Sequence, residues 1–170
     1  MLLVGTANPC GEASTYNGLY FRQDELAGMV ASKALCGIPV KAEHTGNAIG
    51  AVVSAFLDST GALQCVLEID DSVEGVIASG LVRDGIAADL SMGYAVDVQH
   101  SGAQGTHGTQ GTTGRLVAGK KNTLEVSLVR RGAREGCHIH AYQDKHGLVA
   151  GGDIKRRRDA DDTWQEFDLT

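Results

Sequence analysis

Three segments set chemically able side chains in apolar, strand-like surroundings: Ile38-Pro39-Val40-Lys41-Ala42-Glu43-His44, Leu90-Ser91-Met92-Gly93-Tyr94 and Leu124-Glu125-Val126-Ser127-Leu128-Val129. Between them they offer an imidazole, a hydroxyl and a carboxylate. A serine hydroxyl is too weakly acidic to attack a carbonyl unaided. It needs a base within hydrogen-bond reach, and an acid on the far ring nitrogen orients that base. His44, Ser91 and Glu125 are therefore candidates for base, nucleophile and orienter in acyl transfer. Taken singly, each has an ordinary explanation: a lone histidine or serine is usually structural, and Glu125 can lie on a half-exposed strand face opposite Leu124, Val126 and Leu128.

The elements that must position these groups follow from periodicity. Leu26, Met29, Val30 and Ala34 recur at helical spacing after an acidic start, which predicts a short helix from Asp24 to Leu35, closed by Gly37-Ile38-Pro39. Strand patterns follow at Pro39 to His44 and Ile49 to Phe56, with Gly46-Asn47 as the turn between them, and again at Leu63 to Ile69. Asp70-Asp71-Ser72 offers N-cap chemistry to a helix whose core face is Val73, Val76, Ile77, Leu81 and Val82, stopping at Gly85. Ile86 to Val98 reads as a strand carrying Ser91 among small residues that let another chain approach. From His100 to Asn122 the composition falls to Gly, Thr, Gln, Ser and His, with too little apolar surface to offset the entropy of ordering, so a mobile loop is expected. Thr123 to Val129 and His138 to Tyr142 resume as strands on either side of a turn holding Gly132, Arg134 and Gly136. After Gly147 the pattern weakens, and residues 151–170 read as a tail or linker in which Trp164 and Phe167 can dock.

Many strands and two short helices predict a mainly β fold, a β-barrel with peripheral helices, in a single domain over residues 1–150. With 170 residues and 42% hydrophobic content, the chain can build one core. The net charge of −6 and pI near 5.4, with cations scattered until Lys155-Arg156-Arg157-Arg158, speak against a nucleic-acid surface. Asp159, Asp161 and Asp162 follow that tetrad, which reads as a solvated tail, or else as a nuclear-import or interaction patch. Met1-Leu2-Leu3-Val4-Gly5 is too short for a secretory signal. No later run nears the roughly 18 apolar residues of a membrane span, so a soluble intracellular protein without membrane partners is expected. Cys10, Cys36, Cys65 and Cys137 form no C-x-x-C pair and read as reduced core thiols. His138 and His140 share a strand face, but Cys137 points the other way and zinc wants four ligands, so neither metal nor cofactor is expected. His100, His107 and His146 fall in loop or turn sequence and read as solvated.

The three opening segments also resemble the herpesvirus maturational protease (assemblin) and tailed-phage prohead protease superfamily. Pro39-Val40-Lys41-Ala42-Glu43-His44 with Ile49-Gly50 matches the family's Pro-Val-x-x-x-His segment, and Asp89-Leu90-Ser91-Met92-Gly93 its Leu-Ser-hydrophobic strand after a helix. The run from Glu125-Val126-Ser127-Leu128-Val129 through Arg130-Arg131-Gly132-Ala133-Arg134 to Gly136 matches the strand that leads into an arginine-containing turn. Order and spacing correspond over roughly residues 14 to 145.

The resemblance implies a herpesvirus-protease-like β-barrel surrounded by short helices, with His44 as base and Ser91 as nucleophile. Glu125 would be the orienter, in the phage manner, where herpesvirus enzymes use a second histidine. It implies an oxyanion hole at the turn, from Arg134 and the backbone at Ala133, where the family's neighbouring arginine is replaced. The implied function is a serine endopeptidase that cleaves the internal scaffolding protein, and its own precursor, inside the assembling procapsid. The setting would be the host nucleus if the source is herpesvirus-like, or the host cytoplasm if phage-like. Capsid proteins are the implied partners, and a homodimer is allowed although the family's C-terminal dimer helix is not recognisable. The competing expectation is a non-catalytic scaffold- or capsid-binding module that keeps the fold. A hydrolase on an unrelated fold would want a Gly-x-Ser-x-Gly elbow, which Ser91 lacks.

Overall fold

The computed structural model describes residues 1–100 and 116–154. Its clearest sequence-to-structure step is β4 (Leu63–Ile69), where Leu63, Cys65, Leu67 and Ile69 point into the core and Glu68 outward. That alternation is the period of two expected of a strand covered mainly on one face. On one side β4 pairs with β3 (Thr45–Leu57), and on the other with β1 (Leu2–Asn8), which in turn pairs with β7 (Ile139–Asp144). Sequence periodicity did not reveal β1, because Gly5, Thr6 and Asn8 dilute its pattern. Gly5 is required there: a Cβ would stand 2.5 Å from the carbonyl oxygen of His138.

The full sheet has eight strands in the order β5-β6-β2-β3-β4-β1-β7-β8, with β2 at Pro39–Ala42, β5 at Asp89–His100, β6 at Leu116–Val129 and β8 at Gly147–Ala150. β2 runs antiparallel to β3 but parallel to β6, so the sheet is mixed. The fold is mainly β with two helices, as expected, but the sheet does not close as a barrel. Its edge strand β5 meets the chain ahead of β7 through one bridge pair, Asp89 with His138. Bonds from Leu90 N–H to Cys137 O and from Ile139 N–H to Ala88 O, both 3.0 Å, flank that pair. The sheet is thus curled and laced at one point, next to Ser91.

The expected loop over 100–122 is corrected in part. Residues 116–122 belong to β6, which pairs back along β5, while 101–115 lie outside the described residues, as do 155–170 with the basic tetrad, Trp164 and Phe167. The first helix, α1 (Gln23–Ala31), is shorter than expected. Ser32 Oγ donates to Gly28 O at 2.7 Å, and Lys33 adopts a left-handed φ of 53°, which turns the chain out of the helix.

The second helix, α2 (Val73–Arg83), starts at the expected cap, with Ser72 Oγ accepting from Gly75 N–H at 3.1 Å. Its packing face is only partly the one expected: Val82 is buried and Leu81 packs half-buried against the core, joined by Gly75, Ala78 and Ser79, whereas Val73, Val76 and Ile77 are exposed. The small residues win because the helix start lies close against its own cap. A Cβ at Gly75 would meet Asp70 O at 2.4 Å. One core cluster, including Phe21, Leu26, Val40, Leu67, Leu90, Leu128 and Ile139, joins both helices to the sheet. Cys65 and Cys137 sit in buried positions, but Cys36 is exposed and Cys10 only half-buried, so the thiols are not uniformly core; all four are free. No helix among the described residues is long and apolar enough to cross a membrane.

Candidate active site

The β2–β3 hairpin carries the imidazole. Ala42 pairs with Thr45, leaving Glu43 and His44 as a two-residue turn with φ of 48° and 61°. Left-handed values at both central positions suit a tight hairpin. The turn therefore falls at Glu43-His44 rather than at Gly46-Asn47, which belong to β3. Left-handed backbone costs a non-glycine residue free energy, so the tip must be held. Glu43 N–H donates to Leu128 O at 3.0 Å, and the Glu43 carboxylate accepts from Arg130 N–H at 2.8 Å. His44 N–H donates to Ser127 Oγ at 3.3 Å. The hairpin tip is thus fastened over the end of β6.

Below it, β5 and β6 supply the other two groups. Their register sets Ser91 opposite Ser127, and Gly93 opposite Glu125. Both faces of β6 are covered here, with Glu125, Val126, Ser127, Leu128 and Val129 all buried, so Glu125 is not on a half-exposed face. A buried carboxylate requires partners. Glu125 has two: Oε1 lies 2.6 Å from His44 Nδ1, and Oε2 accepts from Ser127 Oγ. The other ring nitrogen, His44 Nε2, lies 2.9 Å from Ser91 Oγ. Room for the carboxylate comes from Gly93, where a Cβ would stand 2.0 Å from Glu125 Oε1.

Hydroxyl, imidazole and carboxylate thus form one hydrogen-bonded line. Tethered through Nδ1 to the acid, the ring can present Nε2 as acceptor to the serine proton and can carry the positive charge that results. The His44 side chain is 43% exposed and that of Glu125 only 11%, so the accessible member of the relay is the imidazole, with the acid shielded behind it and the Ser91 hydroxyl buried beside it at the wall of a cleft. Ser91 and His44 open into a cleft of ≈ 360 Å³, walled by Tyr16, Leu19, Met92, Tyr94, Val96, Ala133 and Arg134.

Arg134, expected at the oxyanion hole, is buried in that wall. Its Nη1 donates to Ser14 O and, at 3.0 Å, to Leu19 O, while Nη2 donates to Tyr94 Oη at 2.9 Å. The guanidinium also lies 5.9 Å from the Tyr16 ring centroid and 5.8 Å from that of Phe21. It staples residues 14–19 to the cleft and stands beside Ala133, so both turn residues reach the site. Asp89 fixes the turn, accepting from Gly132 N–H at 2.9 Å and lying 2.7 Å from His138 Nδ1. Neither periodicity nor spacing pointed to Tyr16, Phe21 or the Asp89–His138 pair. Their roles depend on contacts across many residues.

Cys137, His138 and His140 each have a different partner. His138 serves Asp89, His140 Nε2 lies 2.7 Å from Thr6 Oγ1, and Cys137 Sγ donates to Ala7 O at 3.5 Å. Burial pushes the Cys137 thiol up to about 12, so the free thiol is protonated at neutral pH. His146 lies at an exposed turn, and His107 is outside the described residues.

The fold and the relay together are a mixed β-sheet with a serine, a histidine and a glutamate joined beside its laced edge. Among solved structures, the chain is similar to Kaposi's sarcoma herpesvirus (KSHV) protease in complex with a hexapeptide phosphonate inhibitor. The TM-score is 0.51 and the identity 19%, over 84% of this chain and 65% of that one. The same protease in complex with an allosteric inhibitor aligns with a TM-score of 0.46 and 17% identity, over 82% of this chain and 76% of that one. The chain therefore spans 65% of the length of the first of these proteins. No family model matches the sequence, and the comparison with curated proteins gives no significant match. The likeness establishes a herpesvirus-protease-like fold.

Proposed function

We propose that the chain is a serine endopeptidase. The observation that carries this reading is the single imidazole standing 2.9 Å from a serine hydroxyl and 2.6 Å from a buried carboxylate oxygen. Ser91 Oγ attacks a peptide carbonyl carbon while its proton passes to His44 Nε2, and Glu125 stabilises the imidazolium. The tetrahedral oxyanion is stabilised at the turn by the backbone near Ala133 and by the Arg134 charge. Collapse expels the amine, which takes the proton from His44 and leaves an acyl-serine ester. Water, deprotonated by the same imidazole, hydrolyses that ester.

The substrate we propose is an internal scaffolding protein, together with the enzyme's own precursor, cut after a small residue within an assembling viral procapsid. Supporting this are the fold likeness to a herpesvirus protease and the three matching motifs. A glutamate at position 125 favours the phage branch. The test is an active-site-directed peptidyl phosphonate mapped by mass spectrometry, alongside cleavage of a scaffold peptide by Ser91→Ala. Label on Ser91 and a folded, inactive variant are expected. Label elsewhere, or undiminished cleavage by Ser91→Ala, overturns the assignment.

A further inference from the structure

Ser127 plays no part in the relay just described, yet it touches two of its members. It is fully buried, and its hydroxyl donates to Glu125 Oε2 while accepting from the backbone N–H of His44 at 3.3 Å. A hydroxyl has one proton to give and lone pairs to receive, so a single atom can serve both neighbours. The acid then holds the base twice: directly through Nδ1 of the ring, and through Ser127 at the main chain of the left-handed hairpin tip. The ring contact alone leaves the carboxylate free to rotate about its last bond. The Ser127 contact removes that freedom, and it adds a bond at His44 itself to the two that fasten the tip through Glu43.

We propose that Ser127 is a positioning residue for the peptidase reaction, locking the Glu125 carboxylate and the His44 hairpin tip into the one geometry in which Nε2 faces Ser91. The inference rests on the proposed function of the site, and it adds a fourth residue, which never contacts the substrate. Its sequence spacing is consistent: i and i+2 on a strand share a face, so Ser127 follows Glu125 toward the same side. Opposite it in register stands Ser91, which keeps the three β5–β6 side chains in one small volume.

The experiment combines turnover with a signal that needs no substrate. Ser127→Ala is expected to lower kcat by about ten- to hundredfold with KM little changed, since misplacement of a catalytic group acts on the chemical step. Active sites are counted by phosphonate titration, so a partly unfolded preparation cannot imitate that split. In a Glu125→Gln background the same change should cost much less than in the unmodified protein, because only the bond to the His44 main chain is then left to lose. By NMR, the low-field Nδ1–H proton of His44 should be sharp in the unmodified protein and broadened or lost in Ser127→Ala. Ser127→Cys keeps the volume with a weak donor and provides a folded comparison should the alanine variant misfold; its kcat should lie between the two.

An unchanged kcat and an unchanged His44 resonance in folded Ser127→Ala or Ser127→Cys would overturn the proposal. So would a full additive loss on Glu125→Gln. If instead Ser91→Ala retains activity, the reading of the site itself fails, and the resonance still reports whether Ser127 holds His44.

Discussion

Gly93 offers the sharpest test of how the relay is built, because the three atoms nearest to a methyl group placed there all belong to the acid. A Cβ at position 93 would lie 2.0 Å from Glu125 Oε1, 2.9 Å from its Cδ and 3.1 Å from its Cγ. Carbon and oxygen do not rest closer than about 3 Å, so the carboxylate must retreat by about 1 Å. The atom that retreats is the one 2.6 Å from His44 Nδ1. Moving it that far stretches the bond beyond the roughly 3.2 Å limit of an effective N–H···O contact. Oε2 is held by Ser127, which leaves the side chain little room to swing without breaking a second bond.

The backbone itself does not object, since Gly93 is not in the left-handed region and alanine suits a strand better than glycine by about 0.5–1 kcal/mol. Gly93→Ala is therefore expected to fold normally and to lose about 10²-fold in kcat, which is about 2.7 kcal/mol of transition-state stabilisation. The assay is steady-state cleavage of a fluorogenic scaffold peptide, normalised by phosphonate titration, with circular dichroism and thermal melting on the same preparation. A folded Gly93→Ala protein with kcat within a factor of about two of the unmodified chain would refute the claim that the acid must stand where it does.

Arg134→Lys should destabilise the fold by about 2–4 kcal/mol, because a point ammonium cannot serve Ser14 O, Leu19 O and Tyr94 Oη together; an unshifted urea midpoint would contradict this. The third prediction concerns acid stability. Burial pushes the Glu25 carboxyl up, but hydrogen bonds from Lys121 Nζ at 2.7 Å and from Arg22 N–H outweigh it and hold the group below its ordinary 4.5. A folded value below the unfolded one means stability that is present above about pH 4.5 and lost as the pH falls through the lowered value. Glu25→Gln should therefore be less stable than the unmodified protein near neutrality, and the gap should narrow below that pH. A constant gap in urea midpoint across the range would exclude the linkage.

Parts of the fold were legible along the chain. The alternation of Leu63, Cys65, Leu67 and Ile69 announced β4, and Ser72 announced the start of α2, since both signals depend on near neighbours. Other features were misread where a distant contact overrode the local pattern. Val73, Val76 and Ile77 form the more apolar stripe of α2, yet the small residues Gly75 and Ala78 are the buried ones, and at Gly75 a Cβ would meet Asp70 O at 2.4 Å. Gly46-Asn47 is the stronger turn signal, but the pairing of Ala42 with Thr45 set the turn at Glu43-His44. β1 had no clear period, and is held between β4 and β7 by partners more than fifty and more than a hundred and thirty residues away.

By itself the sequence determined the available chemistry: an imidazole, a hydroxyl and a carboxylate on strand-like segments, with small residues beside two of them. It could not say that they meet. That was decided by the tertiary structure, through the parallel pairing of β2 with β6 and the register that sets Gly93 against Glu125. Hydrogen bonds of 2.6 and 2.9 Å among residues 44, 91 and 125 are properties of strand order and register, and these are settled by burial of the whole sheet rather than by any short run of residues.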